Sequence, residues 1–261
     1  MKKISICLVL AAIAIFTACN SDNNIQSNVE SPVVGSVRKL TETVYQNGAS
    51  NTSIVNFNYN GSVLKNIALG TSTLEFAYDG DKIVESKSYN NGVFYKSNAL
   101  TYNGLLLQKI VQNSGDEKTE FDYTNGILSA KKTFFANGSS WTPLQSINYV
   151  IAANGNISES TLTSYTNGTN TYRQRFEYDL KSHVFKKMNP YLRFVLTAES
   201  FDSLSTNNIL KAFIYTSATT SVQSHNNIIL YNSSDFPIAI KKYYVLNGSN
   251  ILVSECAIEY N

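Results

Sequence analysis

The side chains that most often carry chemistry are few in this sequence and poorly spaced for it. Two histidines, His183 and His225, stand far apart, and neither falls in a metal-type spacing such as His-x-x-x-His. No cysteine accompanies a histidine in a motif, so a zinc site has little support. A Gly-x-Ser-x-Gly elbow and a phosphate-cradling glycine loop are missing as well. Two carboxylates are all that a glycosidase needs. Here, however, Asp79 and Asp81 flank a turn glycine and Asp116-Glu117 sits in another turn, where Asp serves local backbone hydrogen bonds. The Asp-x-Asp pair lacks the further ligands of a calcium site. No catalytic residue, metal or cofactor is assigned, and the expectation is a protein that is not an enzyme.

Cysteine usage is more informative. The chain opens with Lys2 and Lys3, followed by an apolar run from Ile4 to Phe16, the length of a signal-peptide core and too short for a stable membrane-spanning helix. The run ends in Phe16-Thr17-Ala18-Cys19, which resembles the lipobox of bacterial lipoproteins. That resemblance implies that Cys19 takes a diacylglycerol on its thiol and becomes the first residue after cleavage. Cys7 leaves with the signal, so Cys256 remains as a lone thiol without a disulfide partner. Its alternation with Ile258 and Tyr260 suggests a core position. Residues 20–36 are polar and without periodicity, and read as a flexible tether. Ser21-Asp22-Asn23-Asn24 is a diluted form of the acidic stretch that, in lipoproteins of the Bacteroidota, looks like a signal for display on the outer leaflet. Without Lys2 and Lys3 the 21 basic residues fall to 19, equal to the acidic count of 19. No Lys/Arg cluster with interleaved aromatics argues for nucleic acid.

The elements that must position any site come from the aromatic residues. Phe57-x-Tyr59-Asn60-Gly61, Phe76-x-Tyr78-Asp79-Gly80, Leu100-x-Tyr102-Asn103-Gly104 and Phe121-x-Tyr123-Thr124-Asn125-Gly126 recur about every 20 residues, and looser copies end at Tyr149, Tyr178, Tyr231 and Tyr260. Within one copy, Leu74, Phe76 and Tyr78 alternate with Glu75 and Ala77, the period of a strand with one buried face. Asp-Gly or Asn-Gly then predicts a two-residue type I′ turn with both residues at φ > 0. A second set of Asn-Gly turns lies between the copies, at 45–50, 89–94, 135–140, 165–170 and 245–250. The result is hairpin after hairpin, an antiparallel meander of about 14 to 16 strands. A stripe that recurs on one face reads as a core ladder of cross-strand aromatic pairs rather than a row of sugar-stacking rings. Trp141, the single tryptophan, follows a turn and breaks the pattern, which makes it the aromatic to test for ligand binding.

These motifs resemble the tyrosine-aspartate (YD, Rhs-type) repeats of bacterial surface and toxin-shell proteins, "YDGDKI" and "YVIAANGNI" coming closest. Copies without Asp depart from that pattern. Over roughly residues 37–261 the chain is still more similar to repeat-containing lipoproteins of flavobacteria, including a domain family of unknown function described as having a porin-like fold. The resemblance implies architecture and address and brings no catalytic residue. A membrane-spanning barrel needs an outward apolar band, whereas the alternate faces here carry Glu75, Glu85, Lys109, Arg173, Arg175 and Glu177.

The hairpin rhythm breaks at 180–208. Asn189-Pro190 offers an N-cap and a first-turn proline, and Leu192, Val195, Leu196, Glu199 and Phe201 fit a short amphipathic helix imperfectly. This segment is expected to be a plug over one mouth of the sheet, with a functional loop as the competing reading. It also contains Asp202-Ser203-Leu204, which resembles the Bacteroidota sequon for O-glycosylation on Ser203.

The sequence thus predicts an all-β protein, a strongly twisted open sheet or partly closed barrel with a short plug. Its expected segments are a signal peptide (1–18), a lipidated cysteine with tether (19–36) and one repeat domain (37–261). The function expected is a lipid-anchored envelope module that binds or builds, possible partners beyond the membrane being a glycan or another envelope protein. Alternatives are a surface glycan binder acting through Trp141, or a carrier of an apolar ligand in a half-closed barrel.

Overall fold

The computed structural model describes residues 34–166, 168–196 and 204–261. Cys19 and Ser203, and with them the lipidation and glycosylation expectations, lie outside these residues. Sixteen strands follow in order: β1 (Val37–Gln46), β2 (Ala49–Asn60), β3 (Val63–Leu69), β4 (Ser72–Asp79), β5 (Lys82–Asn90), β6 (Val93–Asn103), β7 (Leu106–Gln112) and β8 (Glu117–Thr124). They continue as β9 (Ile127–Asn137), β10 (Ser140–Ile151), β11 (Ile157–Ser164), β12 (Asn170–Tyr178), β13 (Ile209–Tyr215), β14 (Ser221–Tyr231), β15 (Pro237–Leu246) and β16 (Ser249–Tyr260). One helix, α1 (Pro190–Leu196), lies between β12 and β13.

Every strand pairs antiparallel with its sequence neighbours, and β1 pairs with β16 from Val37↔Tyr260 to Val44↔Ser254, so the meander is a closed barrel. Closure is thus complete, beyond the open or partly closed sheet expected. The seam satisfies the backbone groups that two free edges would otherwise leave unpaired.

The turns are of two kinds rather than one. At Asn47-Gly48, Asn91-Gly92, Asn125-Gly126 and Asn247-Gly248 both residues have φ > 0, the type I′ pattern predicted. In the Asp79-Gly80 hairpin, Asp79 pairs with Lys82 and the turn residues are Gly80 and Asp81, with only Gly80 at positive φ (55°). That is the type II′ pattern, in which glycine takes the first central position. Asp79 is the last residue of a strand and not a turn residue. At 165–170 the expected tight turn is a longer loop between β11 and β12.

A register slip marks each repeat. In the β4–β5 pair, Ala77 faces Glu85 but Tyr78 faces Ile83, which leaves Val84 unpaired as a β-bulge. The same slip falls directly before Tyr59, Tyr102, Tyr123, Tyr178 and Tyr231, before Ile151 in the loose copy, and beside Tyr260 at the seam. The bulge decides which side chains face in. Strict alternation from Ile83 would send Glu85 and Lys87 into the barrel; one extra residue turns them out and turns Ser86 and Ser88, both buried, in.

The cross-strand partners of the repeat tyrosines are aliphatic, and here the expected ladder of aromatic pairs is corrected. Tyr59, Tyr78, Tyr102 and Tyr123 stand opposite Leu64, Ile83, Leu107 and Leu128. Each hydroxyl instead donates to a main-chain carbonyl of the preceding strand: Tyr59 to Val37 (2.9 Å), Tyr78 to Leu64 (2.7 Å), Tyr102 to Ile83 (2.7 Å) and Tyr123 to Leu107 (2.9 Å). Tyr178 and Tyr260 repeat the contact with Ile157 and Pro237, each at 2.7 Å. A ring of hydroxyls and buried aliphatics therefore belts one end of the barrel.

The outer wall is charged along its length. Lys39–Glu259 (2.9 Å), Glu85–Lys87 (3.0 Å), Asp122–Lys132 (2.5 Å), Arg173–Glu159 (2.5 Å) and Lys241–Glu255 (3.3 Å) form ion pairs on strands whose alternate residues face the core. Arg173 and Arg175 also stack on Tyr215 and Phe213, 4.0 and 3.6 Å from the ring centres. These ion pairs, set between exposed aliphatics such as Ile54, Val150, Ile228 and Leu230, interrupt the continuous apolar band that faces lipid in a membrane-spanning barrel.

Candidate functional site

A barrel of this strand number is too wide for wall side chains alone to fill. At the tyrosine-ringed end the space is taken by the connection between β12 and β13, the segment expected to be a plug. Asn189 caps α1, its Oδ1 accepting the Tyr191 N–H at 2.9 Å, and Pro190 occupies the first helical position, as its missing N–H allows. Leu192 is fully buried (0% exposed) and joins Val184 and Met188 in one cluster with wall residues such as Val55, Ile67, Ile83 and Leu107. Aromatic rings interlock across the boundary: Phe185 with Phe57 (6.2 Å between centres), Tyr191 with Tyr102 (5.1 Å, 81°) and Phe194 with Phe121 (5.5 Å, 82°). Among the described residues the repeat stripe thus makes its ring contacts with the plug and, at Tyr260, with Phe236 before β15 (5.5 Å).

Polar clasps hold the segment at its edges. Asp179 and Asn208 close its neck, the Asn208 N–H and Nδ2 both donating to the Asp179 carboxylate at 3.1 Å, and Tyr231 donates to the same carboxylate. Asn156 and Asn207 exchange a reciprocal pair at 3.0 and 2.9 Å, which ties the plug to the β10–β11 loop. In that loop Gly155 adopts φ +82°, and a Cβ there would lie 2.5 Å from Thr206 Oγ1. Ser205 is fully buried and receives contacts from three sides, from the Ile157 N–H at 3.2 Å, from the Tyr178 hydroxyl at 2.8 Å and, at its carbonyl, from Arg193. Burial draws the Arg193 pKa below its usual value. Asn189 also donates to the Asp81 carbonyl at 2.7 Å, so this half of the Asp79/Asp81 pair docks the plug through its backbone.

The two histidines do not meet. His183 is buried within the plug, where its Nδ1 accepts the Phe185 N–H at 3.2 Å. His225 points inward on β14 beside Tyr244, and burial, reinforced by Lys242, lowers its pKa. Cys256 faces inward on β16 against the core, and burial pushes its thiol up to about 11, far from a reactive thiolate. Among the described residues no three His, Cys, Asp or Glu side chains gather into a metal-binding cluster.

Trp141 lies at the opposite end of the barrel on the outer wall, 37% exposed. Lys118 bridges it and Phe134, with Nζ 5.0 and 4.6 Å from the two ring centres. Part of the indole face is therefore already occupied by a cation. Nearby, Phe94, Tyr95, Gln112, Asn113 and Asp116 line a notch of about 390 Å³, formed because the β5–β6 hairpin projects past the shorter β7–β8 hairpin. A larger cleft of about 800 Å³ is lined by Gln223, Asn226, Tyr244, Asn247 and Asn250 at the tips of β13–β16. The plug clasps, a reciprocal use of Asn and Asp at long sequence separation, carry no signal that sequence reading could have used beyond the turn-like Asn-Asn at 207–208.

With this geometry in view, comparison with known proteins is informative about the fold alone. No protein-family profile and no curated protein matches the chain. A solved porin-like protein from Bacteroides uniformis superimposes with a TM-score of 0.57 at 10% identity, over 86% of this chain and 98% of the other. The fold is similar to that of a porin-like protein. A second porin-like protein, from Bacteroides vulgatus, gives 0.48 at 14% identity over 86% and 98% of the two chains. A protein of unknown function from Bacteroides fragilis gives 0.35 at 12% identity over 56% and 95%.

Proposed function

We propose that the protein is a lipid-anchored envelope module with a binding or structural role and no catalytic one. It is held through Cys19 on the outer membrane of a member of the Bacteroidota, with its barrel outside the bilayer. One observation carries this reading: the barrel has a charged outer wall and fills its own ringed end, so it is suited neither to facing lipid nor to conducting through that end. A protein with such a wall needs a separate means of attachment, and the lipobox-like Phe16-Thr17-Ala18-Cys19 supplies one. Cys19→Ala is expected to move the protein from the membrane to the soluble fraction; persistence with the membrane would defeat the anchor.

Glycan capture is the second reading, favoured by the exposed aromatics Phe94, Tyr95 and Trp141 toward the far rim. Binding on a glycan array that is lost in Trp141→Ala supports it, and an array without hits counts against it. A carrier role is disfavoured because the closed barrel gives its apolar end to Val184, Met188 and Leu192 of the same chain. Modification of Ser203 belongs to the same envelope setting, and intact-mass comparison with Ser203→Ala tests it.

A further inference from the structure

The two ends of the barrel chain meet at the plugged end. The Gly35 N–H donates to the Asn261 carbonyl at 3.1 Å and the Asn261 N–H to the Ser36 carbonyl at 3.0 Å. Val34, the first described residue, therefore stands on the plugged rim, and the 14 residues between it and Cys19 must leave the barrel there.

The same rim carries aliphatic side chains where turns ordinarily carry polar ones. Leu180 is 94% exposed, Val34 82%, Leu105 76%, Ile127 54% and Val63 47%. Leu105 is a central residue of the β6–β7 turn, Ile127 and Val63 directly follow two-residue turns, and Leu180 stands at the neck of the plug. Among the described residues these side chains stay out of the core that takes Leu107 and Leu128 two and one residues on; the far rim also exposes Val93, Phe94, Tyr95, Leu246 and Ile251, so it is the exit of the chain at Val34 that singles this rim out. The charges among them are mixed, Lys65, Lys82, Lys181, Lys186 and Lys187 with Asp79, Asp81, Asp122, Asp179 and Asp235, and Lys181 is paired with Asp235. Apolar tips interspersed with lysines suit the boundary between headgroups and acyl chains of an anionic bilayer.

We infer that the plugged rim is the membrane-facing end of the protein, its aliphatic turn tips seated in the lipid surface, and that the far rim with Trp141 and the two clefts points away from it. The inference rests on the Cys19 anchor proposed above. Strands of ten to twelve residues, such as β10, rise about 3.3 Å per residue and tilt by about 40°, which sets Trp141 roughly 25 Å above the plugged rim. Two acyl chains on a tether fix only a distance; the rim contact adds an orientation.

The test uses the full lipidated chain in vesicles of phosphatidylethanolamine and phosphatidylglycerol, some of the lipids brominated. An environment-sensitive fluorophore is placed at Leu105→Cys or, for the far rim, at Asn247→Cys, each in a Cys256→Ser background; both sites are exposed turn positions, and because Asn247 takes a positive φ of 51° the fold of each labelled chain is first checked by circular dichroism and thermal melting. Trp141, the only tryptophan, is an internal reporter that needs no label. The expected result is co-flotation with vesicles, quenching at position 105 several-fold stronger than at 247, and Trp141 emission unchanged by bromine. Co-flotation with equal quenching at 105 and 247, or with stronger quenching at 247 or Trp141, overturns the orientation and leaves the anchor standing. Failure to co-float overturns the anchor and the orientation with it. Shielding of position 105 that grows with protein concentration in the absence of lipid assigns the rim to a second copy, and also overturns the inference.

Discussion

Removing one hydroxyl from the tyrosine ring tests whether the bulges are held by side chains or merely tolerated. Tyr102→Phe deletes the 2.7 Å bond to the Ile83 carbonyl and little else. The ring edge that meets Tyr191 at 5.1 Å is kept, and so is the face that Lys82 approaches at 5.4 Å. The lost bond is worth about 1 kcal/mol net, and the carbonyl it leaves beside a fully buried Ile83 adds a desolvation cost, so the total is about 1–3 kcal/mol. For a domain of this size each kcal/mol corresponds to roughly 2–4 °C in Tm, so a fall of about 2–12 °C is expected. Urea titration followed by Trp141 emission is the assay. The midpoint should move while the slope stays constant, because the surface exposed on unfolding hardly changes. Tyr172→Phe, at the exposed far rim, should stay within about 0.5 kcal/mol of the parent. A Tyr102→Phe effect as small as that of Tyr172→Phe refutes the reasoning, since the bulge would then be stable on backbone geometry alone.

Three further outcomes follow from the plug and the ring. Leu192→Ala should cost about 2–5 kcal/mol, because a fully buried side chain between plug and wall leaves a cavity; limited proteolysis should then cut within 179–208 faster than elsewhere. Gly155→Ala should destabilise clearly more than Gly248→Ala, for both have positive φ but only the former places a Cβ 2.5 Å from Thr206 Oγ1; equal losses in thermal melts would mean that Thr206 simply moves. Burial pushes the Tyr78 and Tyr123 hydroxyls up to about 12 from an ordinary 10, with Tyr102 and Tyr260 raised in the same direction. The folded state therefore keeps these protons while the unfolded chain loses them above pH 10, so stability is unaffected below pH 10 and declines as pH rises toward 12. Absorbance titration at 295 nm should show a late tyrosine class that merges with the early class when urea is added.

The architecture was legible because hairpins are local instructions. Period-two alternation ending in Tyr, followed by a glycine turn, needs no distant partner, and sixteen strands result where about 14 to 16 were expected. Asn189-Pro190 likewise announced the start of α1 from two residues. The turn at Asp79-Gly80 differs from the type I′ expectation because glycine in either central position satisfies the same sequence pattern, and only φ distinguishes them.

What the sequence by itself determined, then, is the meander, its aromatic stripe and the position of the interruption, all set by spacing along the chain. Tertiary structure alone decided three things. Closure depends on β1 meeting β16 more than 200 residues away, and no local pattern encodes that edge. The burial of Ser86 and Ser88 depends on a bulge at Val84 that a strict alternation from Ile83 cannot foresee. The partners of the aromatic stripe turned out to be Phe185, Tyr191 and Phe194 of the plug rather than the neighbouring strands, because a barrel this wide leaves a void that something longer than a side chain must fill.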